Sequence, residues 1–352
     1  MALRWMDGFE SARTSANMSR RYNGQVDGFL NLAAWGTGRL QGFCITATGN
    51  NHYGITPTFA NHATWIVGMA FRHVSVPSND QILMEFRDGN NVNCSLTVRQ
   101  GTVNTTYVRF RLMVGGTQVA ISAEYPPGAS TFYYLELKTT SHLSSGSYSF
   151  KVNEIVEFSG SGVATAQFSA VCNNIKIGCP SSSLGCSIDD VYVCDGSGSI
   201  RNDFLGDCVV ETILPDSDVT TGFPNLLGAG TTHWDKVDDP SNVAYDDDTT
   251  AVVSTADAQK DLYGFAALAF LQSNFLGVQV EIQARLASSG SRVYHARFRH
   301  SDTTEISGPA ITLTSTSYTP PSFTIWEQRP TGTPADWTLA EINAGSFGIL
   351  TG

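Results

Sequence analysis

Thr64-Trp65-Ile66-Val67-Gly68-Met69-Ala70-Phe71-Arg72-His73-Val74 is the stretch on which the fold turns. Trp65, Val67, Met69 and Phe71 alternate with Ile66, Gly68, Ala70 and Arg72. A period of two sends alternate side chains to opposite faces of a strand. A helix would need apolar residues at i, i+3, i+4 and i+7. Four large apolar side chains on one face mark the inner surface of a sheet that packs on a second layer.

The same alternation continues outward. Strands are expected at Gln81–Asp88, Cys94–Arg99, Thr106–Val114, Thr117–Ser122, Thr131–Thr139, Ser147–Val152, Ile155–Phe158, Asn174–Gly178 and Ser187–Val193. Turn residues separate them: Asp88-Gly89, Gln100-Gly101, Gly115-Gly116, Pro126-Pro127-Gly128, Ser145-Gly146 and Asn153-Glu154. Short strands about every 8–12 residues predict an all-β sandwich or jelly roll, not a βαβ fold. The expected core is Trp65, Phe71, Phe86, Phe110, Tyr133, Leu135, Leu137 and Phe150.

The pattern breaks at Asp195-Gly196-Ser197-Gly198-Ser199. Phe204–Asp207, an expected short strand at Cys208–Leu214, and a Pro/Asp/Thr/Gly stretch from Pro215 to Pro224 follow. The domain reading is a β-sandwich over 1–195, a linker and crossing strand over 196–222, and a smaller β-rich domain over 223–352. Strands recur at Gly277–Ala287, Ser291–Phe298, Ala310–Ser315 and Ser322–Trp326. Ala256–Phe275 has no clear period and admits a short helix.

A net charge of −11 gives no general attraction to phosphate backbones or anionic lipid, so neither nucleic acid nor membrane is an expected partner. Arg20-Arg21 is too short for a nucleic-acid arm. Phe265–Leu271, the longest apolar block, is too short to span a bilayer. The opening residues carry Asp7 and Glu10 and lack the apolar stretch of a signal peptide, so synthesis in the cytosol is expected. Cysteines stand at 44, 94, 172, 179, 186, 194 and 208. Three readings stand open: small buried hydrophobes, disulfides formed after release from the cell (Cys179 with Cys186 closing one loop), or a structural metal.

Chemistry-bearing motifs are sparse. A sandwich glycoside hydrolase needs two carboxylates on one face, commonly as Glu-x-Asp-x-x-Glu, and that string is absent. Glu154-Ile155-Val156-Glu157 puts its acids on opposite faces. GxSxG, HExxH, P-loop and GxGxxG are also absent. His52, His62, His295 and His300 read as structural. Asp189-Asp190 reads as strand-end polar residues or as part of a Ca²⁺ site. Asp195, Ser197, Ser199 and Asp203 resemble a Ca²⁺ loop but have Ile200 where glycine is needed, and Asp246-Asp247-Asp248 fails the same test. Trp35, Tyr53, Phe59, Tyr125 and Phe132 are aromatics able to stack on sugars or to serve the core. No catalytic, cofactor-binding or metal-binding residue is assigned, no cofactor is expected, and the chain reads as a non-enzyme.

The first 195 residues resemble the concanavalin-A-like, laminin-G-like jelly roll. The resemblance rests on Asp7-Gly8-Phe9-Glu10, the Trp65 strand, Phe132-Tyr133-Tyr134-Leu135-Glu136-Leu137-Lys138, Lys151-Val152-Asn153 and Ile188-Asp189-Asp190-Val191-Tyr192-Val193. Asp189 through Gly196 followed by Asn202-Asp203-Phe204-Leu205-Gly206-Asp207 is similar to virion structural proteins of tailed bacteriophages. So is the ending Ala335-Asp336-Trp337-Thr338, Ile342-Asn343-Ala344 and Phe347-Gly348-Ile349. The departures are the extra cysteines and Glu154, where the family often has glycine. The resemblance implies a fibre, tail, collar or capsid-decorating component, located in the virion, with other virion proteins and copies of itself as partners. Host-surface carbohydrate is a further expected partner. A carbohydrate-binding adhesin is the alternative, and a polysaccharide depolymerase a third.

Overall fold

The computed structural model describes residues 2–10, 14–26, 33–39, 43–47, 52–128, 131–179, 185–239, 245–268, 274–318, 320–330 and 332–352. Of these, 48% lie in strands and 5% in helices, so the chain is all-β. It divides into two compact units, Met1–Glu211 and Thr212–Gly352.

The first unit runs β1 (Leu3–Asp7), α1 (Ser15–Arg21), β2 (Gly24–Val26), β3 (Ala33–Thr37), β4 (Phe43–Ala47), β5 (His52–Ile55), β6 (Thr64–Arg72), β7 (Gln81–Asp88) and β8 (Asn91–Gln100). It continues with β9 (Val108–Val114), β10 (Thr117–Ile121), β11 (Tyr133–Thr140), β12 (Gly146–Val152), β13 (Ile155–Val163), β14 (Asn174–Cys179) and β15 (Ser187–Asp195). Among the described residues these form two antiparallel sheets. One has eight strands in the order β13-β12-β11-β6-β15-β4-β3, with β1 also on β15. The other has seven, β10-β9-β8-β7-β14-β5-β2.

Register places Trp65, Val67, Met69 and Phe71 opposite Thr139, Leu137, Leu135 and Tyr133. The inner faces of the two sheets meet there. Phe110 of the seven-stranded sheet lies edge-on to Phe71, with centroids 6.0 Å apart, and 5.5 Å from Phe150. All eight expected core residues are buried. Each contributes roughly 1.5–3 kcal/mol of burial. On the opposite face of β6, Gly68 is required by packing: a Cβ there would fall 2.1 Å from the Tyr192 ring.

The β12–β13 hairpin turns through Asn153 and Glu154, at φ 48° and 66°. Two positive φ values are what a two-residue hairpin turn needs, and they explain why glycine is the usual second residue. Glu154 adopts the left-handed conformation regardless. Bulges interrupt one outermost ladder of each sheet, twice between β12 and β13 and once between β9 and β10.

Residues 196–211, read as linker, belong to the first unit. Cys208–Leu214 forms no strand, contrary to expectation. This strap satisfies its backbone with side chains in place of a ladder. Leu205 N–H donates to the Tyr192 hydroxyl (3.1 Å), Gly206 N–H to Glu136 Oε1 (2.9 Å) and Val210 N–H to Asp190 Oδ1 (2.8 Å). Lys138 pairs with Asp203 at 3.0 Å, and Lys151 lies 4.3 Å over the Phe204 ring.

The second unit comprises β16 (Pro215–Thr221), β17 (Asn225–Leu227), a 3₁₀ turn (Trp234–Lys236), β18 (Ala251–Val253), β19 (Lys260–Phe265), β20 (Val278–Ile282) and β21 (Arg292–Arg299). It ends with β22 (Glu305–Ser307), β23 (Ile311–Leu313), β24 (Ser322–Trp326), α2 (Leu339–Ala344) and β25 (Ser346–Thr351). Its main sheet has the order β16-β19-β25-β21-β22, with β23 on β21. Ala296, Phe298, Trp326, Trp337, Ile342 and Phe347 form its core. The helix admitted within Ala256–Phe275 is corrected for its described part: Lys260–Phe265 is β19, laddered on both sides, while 269–273 lie outside the described residues. Both α-helices among the described residues are instead capped by threonine. Thr14 accepts from Asn17 N–H, and Thr338 and Glu341 form a reciprocal capping box.

Candidate functional site

Most of the residues that stood out in the sequence are committed to structure. Asp195 pairs with Arg4 and accepts from Ser197 N–H at 2.8 Å. Among the described residues no group of three or more His, Cys, Asp or Glu is arranged to hold a metal ion. Glu154 stands in the β12–β13 turn, and Glu157 accepts from Ala123 N–H at 2.9 Å. His62 and His295 contact backbone carbonyls, and His300 lies 3.1 Å from Asp302. Tyr125 packs on Phe110 and Tyr133, Phe59 on Trp65, and Arg72 lies over Phe132. Cys44, Cys94, Cys172, Cys186 and Cys194 are buried thiols, and Cys208 is a half-buried one. The side chains of Trp35, His52 and Cys179 lie outside the described residues.

Asp189 and Asp190 join an acidic cluster closed by arginine. Asp189 accepts from Arg39 N–H at 2.8 Å, and Asp190 accepts from Arg39 Nε at 2.9 Å and from Val210 N–H. Asp190 sits at φ 50°, at a bulge of β15. Burial, followed by the mutual repulsion of the pair, raises the Asp189 carboxyl. Burial and the charges of Asp189, Asp7 and Asp190 push Glu10 up to about 9. An acid whose folded pKa is raised stabilises the fold fully below the unfolded value and loses that contribution as pH rises towards the folded value. Glu10→Gln should therefore match the parent in stability at pH 4 and exceed it by of order 2 kcal/mol at pH 8. Denaturant unfolding at the two pH values measures this, and equal midpoints at pH 8 would refute it.

The outer faces of the two sheets differ. On the eight-stranded sheet, Ile66, Tyr134, Glu136, Tyr192 and Cys194 are all buried. There Glu136 and Tyr192 serve as hydrogen-bond anchors for the strap, and burial raises the Glu136 carboxyl.

The seven-stranded sheet carries charge on its outer face. Alternation sends Met84 and Phe86 of β7, and Ile175 and Ile177 of β14, inward, and puts Glu85, Arg87, Asn174 and Lys176 on the outer face, where they too are buried. Lys176 Nζ lies 3.1 Å from Glu85 Oε1 and 4.0 Å from the Tyr53 ring centroid. Arg87 reaches Glu85 at 3.6 Å and donates to the Asn90 carbonyl at 3.0 Å. Immediately before β7, five residues ahead of Glu85, Asp80 takes two hydrogen bonds from Arg111 of β9 and one from Thr97 of β8, and lies 3.8 Å from Arg99. Among the described residues the buried Nε–H of Arg87 and of Arg99 has no hydrogen-bond partner. Sequence reading missed this face: alternation places Glu85 and Arg87 together, but Lys176 comes from a strand ninety residues later.

It also missed a polar hub in the second unit. Asp261, fully buried, accepts from Gly222 and Phe223 N–H (2.7 and 2.9 Å) and from the Tyr263 hydroxyl (3.1 Å), and lies 2.6 Å from His233 Nδ1.

No protein-family model matches the chain, and no curated protein matches it in sequence. Solved structures similar to it include the alginate lyase Aly36B (12% identity, TM-score 0.38, covering 58% of this chain and 98% of that one). A Trypanosoma rangeli sialidase in complex with the inhibitor DANA is similar at 12% identity and TM-score 0.33, covering 44% of this chain and 25% of that one. The CBM2 module of the evolved Dit of Lactobacillus casei BL23 phage J-1 is similar at 9% identity and TM-score 0.35, covering 55% and 94%. The likeness is one of fold. A lyase and a sialidase among the similar structures overturn the expectation that the chain is not an enzyme.

Proposed function

We propose that this protein is a component of a bacteriophage particle whose first unit binds host-surface polysaccharide across the outer face of the seven-stranded sheet. One observation carries the binding reading: the two outer faces of the sandwich are treated differently. The chain's own strap is bonded to the eight-stranded face, while the seven-stranded face carries a buried ion-pair cluster around Glu85 and a more open one around Asp80, with Arg99 the most open of their cations. Side chains locked by their neighbours lose little entropy when a ligand arrives. The particle assignment rests on the motif resemblance around Asp189–Gly196 and Trp337–Ile349.

Affinity electrophoresis of the full chain in gels containing neutral and acidic polysaccharides tests the binding. Retardation by at least one is expected, and migration unchanged by all would refute it. The same polysaccharides are to be incubated with the protein and assayed for new reducing ends and unsaturated uronate, which reports any cleavage. Mass spectrometry of particles purified from the lysate tests the location. Recovery only in the soluble fraction would remove the particle assignment.

A further inference from the structure

We infer that the polysaccharide taken by the seven-stranded face is an acidic one, held through its carboxylate or other anionic groups; this rests on the binding reading above. The first ground is charge. Lys176 and Arg87 stand about Glu85, and Arg99 and Arg111 stand about Asp80 five residues earlier in the chain, four cations to two carboxylates. The row is thus net positive in a chain whose net charge is −11. The second ground is hydrogen-bond inventory. Arginine and lysine only donate, and Arg99, whose Nε–H is buried, keeps the rest of its guanidinium side chain partly open to solvent. A ligand complementary to such a surface is rich in acceptors, and anionic oxygens pair best with guanidinium.

The third ground is spacing. From β14 through β7 and β8 to β9 is three strand steps, ~14 Å at ~4.8 Å per step, which spans several sugar rings. A single sugar would meet one of the two clusters only. Register sets Lys176 level with Glu85, Ser95 and Met113, and Arg111 level with Thr97, so a chain running obliquely over the strands passes over both, Lys176 keeping 9% of its side-chain surface in solvent. Arg99 keeps 39% of its side-chain surface in solvent and is the most open of these cations.

The test uses polygalacturonate, neutral dextran and duplex DNA as probes in affinity electrophoresis of the full chain. Retardation by polygalacturonate but not by dextran is expected, weakening as salt is added. Arg99→Gln/Arg111→Gln should weaken it roughly tenfold, and Arg99→Lys/Arg111→Lys should restore most of it. Thermal melting of each variant separates lost binding from lost folding. Dextran retardation equal to that by polygalacturonate, unchanged in the glutamine variant, would overturn the acidic class and leave polysaccharide binding standing. Retardation by DNA as strong as by polygalacturonate would reduce the face to a general cation exchanger and overturn the inference. Retardation by nothing would overturn both readings.

Discussion

Asp7→Ala is expected to destabilise the first unit by about 3–5 kcal/mol. Asp7 is fully buried and Arg21 nearly so. The carboxylate accepts from Arg21 Nε at 2.9 Å, from the Tyr22 hydroxyl at 2.9 Å and from Phe9 N–H at 2.8 Å. Those bonds tie α1 to the end of β1, and Phe9 stands at φ 66° beside them. Alanine removes the charge that neutralises a buried guanidinium, and breaking a buried pair from one side is worse than never having built it. Asp7→Ala/Arg21→Met should therefore recover much of the loss. Chemical unfolding of the two variants checks this, and a loss under about 1 kcal/mol in the single variant would refute it.

Phe298→Ala should unfold the second unit's core at a similar loss, about 3–5 kcal/mol. Phe298 has no exposed surface and lies 5.0 Å from Trp337, edge-on, and 5.0 Å from Phe347. Trp326 is 6.3 Å away, and its carbonyl takes the Trp337 indole N–H at 3.0 Å. Removing the central ring leaves three large side chains around a void that none can fill without leaving its rotamer. Phe298→Leu keeps most of the volume and should lose far less. Tryptophan fluorescence during urea unfolding of the full chain reports both variants. Equal midpoints for the two would sink the packing account.

Strand positions were legible because one face of each sheet is buried. Gln81–Asp88 and Ser322–Trp326 emerge with the bounds their alternation predicts. Periodicity carries nothing about segments held by side chains, so the strap over 196–211 reads as a linker. Its bonds run to Glu136, Tyr192 and Asp190, which come from distant strands. The capping box at Thr338–Glu341 was present in the sequence as Thr-x-x-Glu, but the helix behind it is six residues long and shows no repeat. The charged face was half visible. Glu85 and Arg87 share a face by alternation, whereas their closeness to Lys176 follows only from the pairing of β7 with β14. The Asp261 hub had no local signal, since its partners are spread over some forty residues.

The bulges in β10 and β13 bear on how the molecule behaves when many copies are crowded onto a small area. A straight, evenly spaced border would let one copy zip onto the next and grow without limit. Here the spacing of donors and acceptors slips out of phase within a few rungs along β10 and β13, so a second copy finds no continuous register to follow on those two borders. Fusion of crowded copies into fibrils is thereby disfavoured at the β10 and β13 margins, whereas the opposite edge strands, β2 and β3, have unbroken ladders.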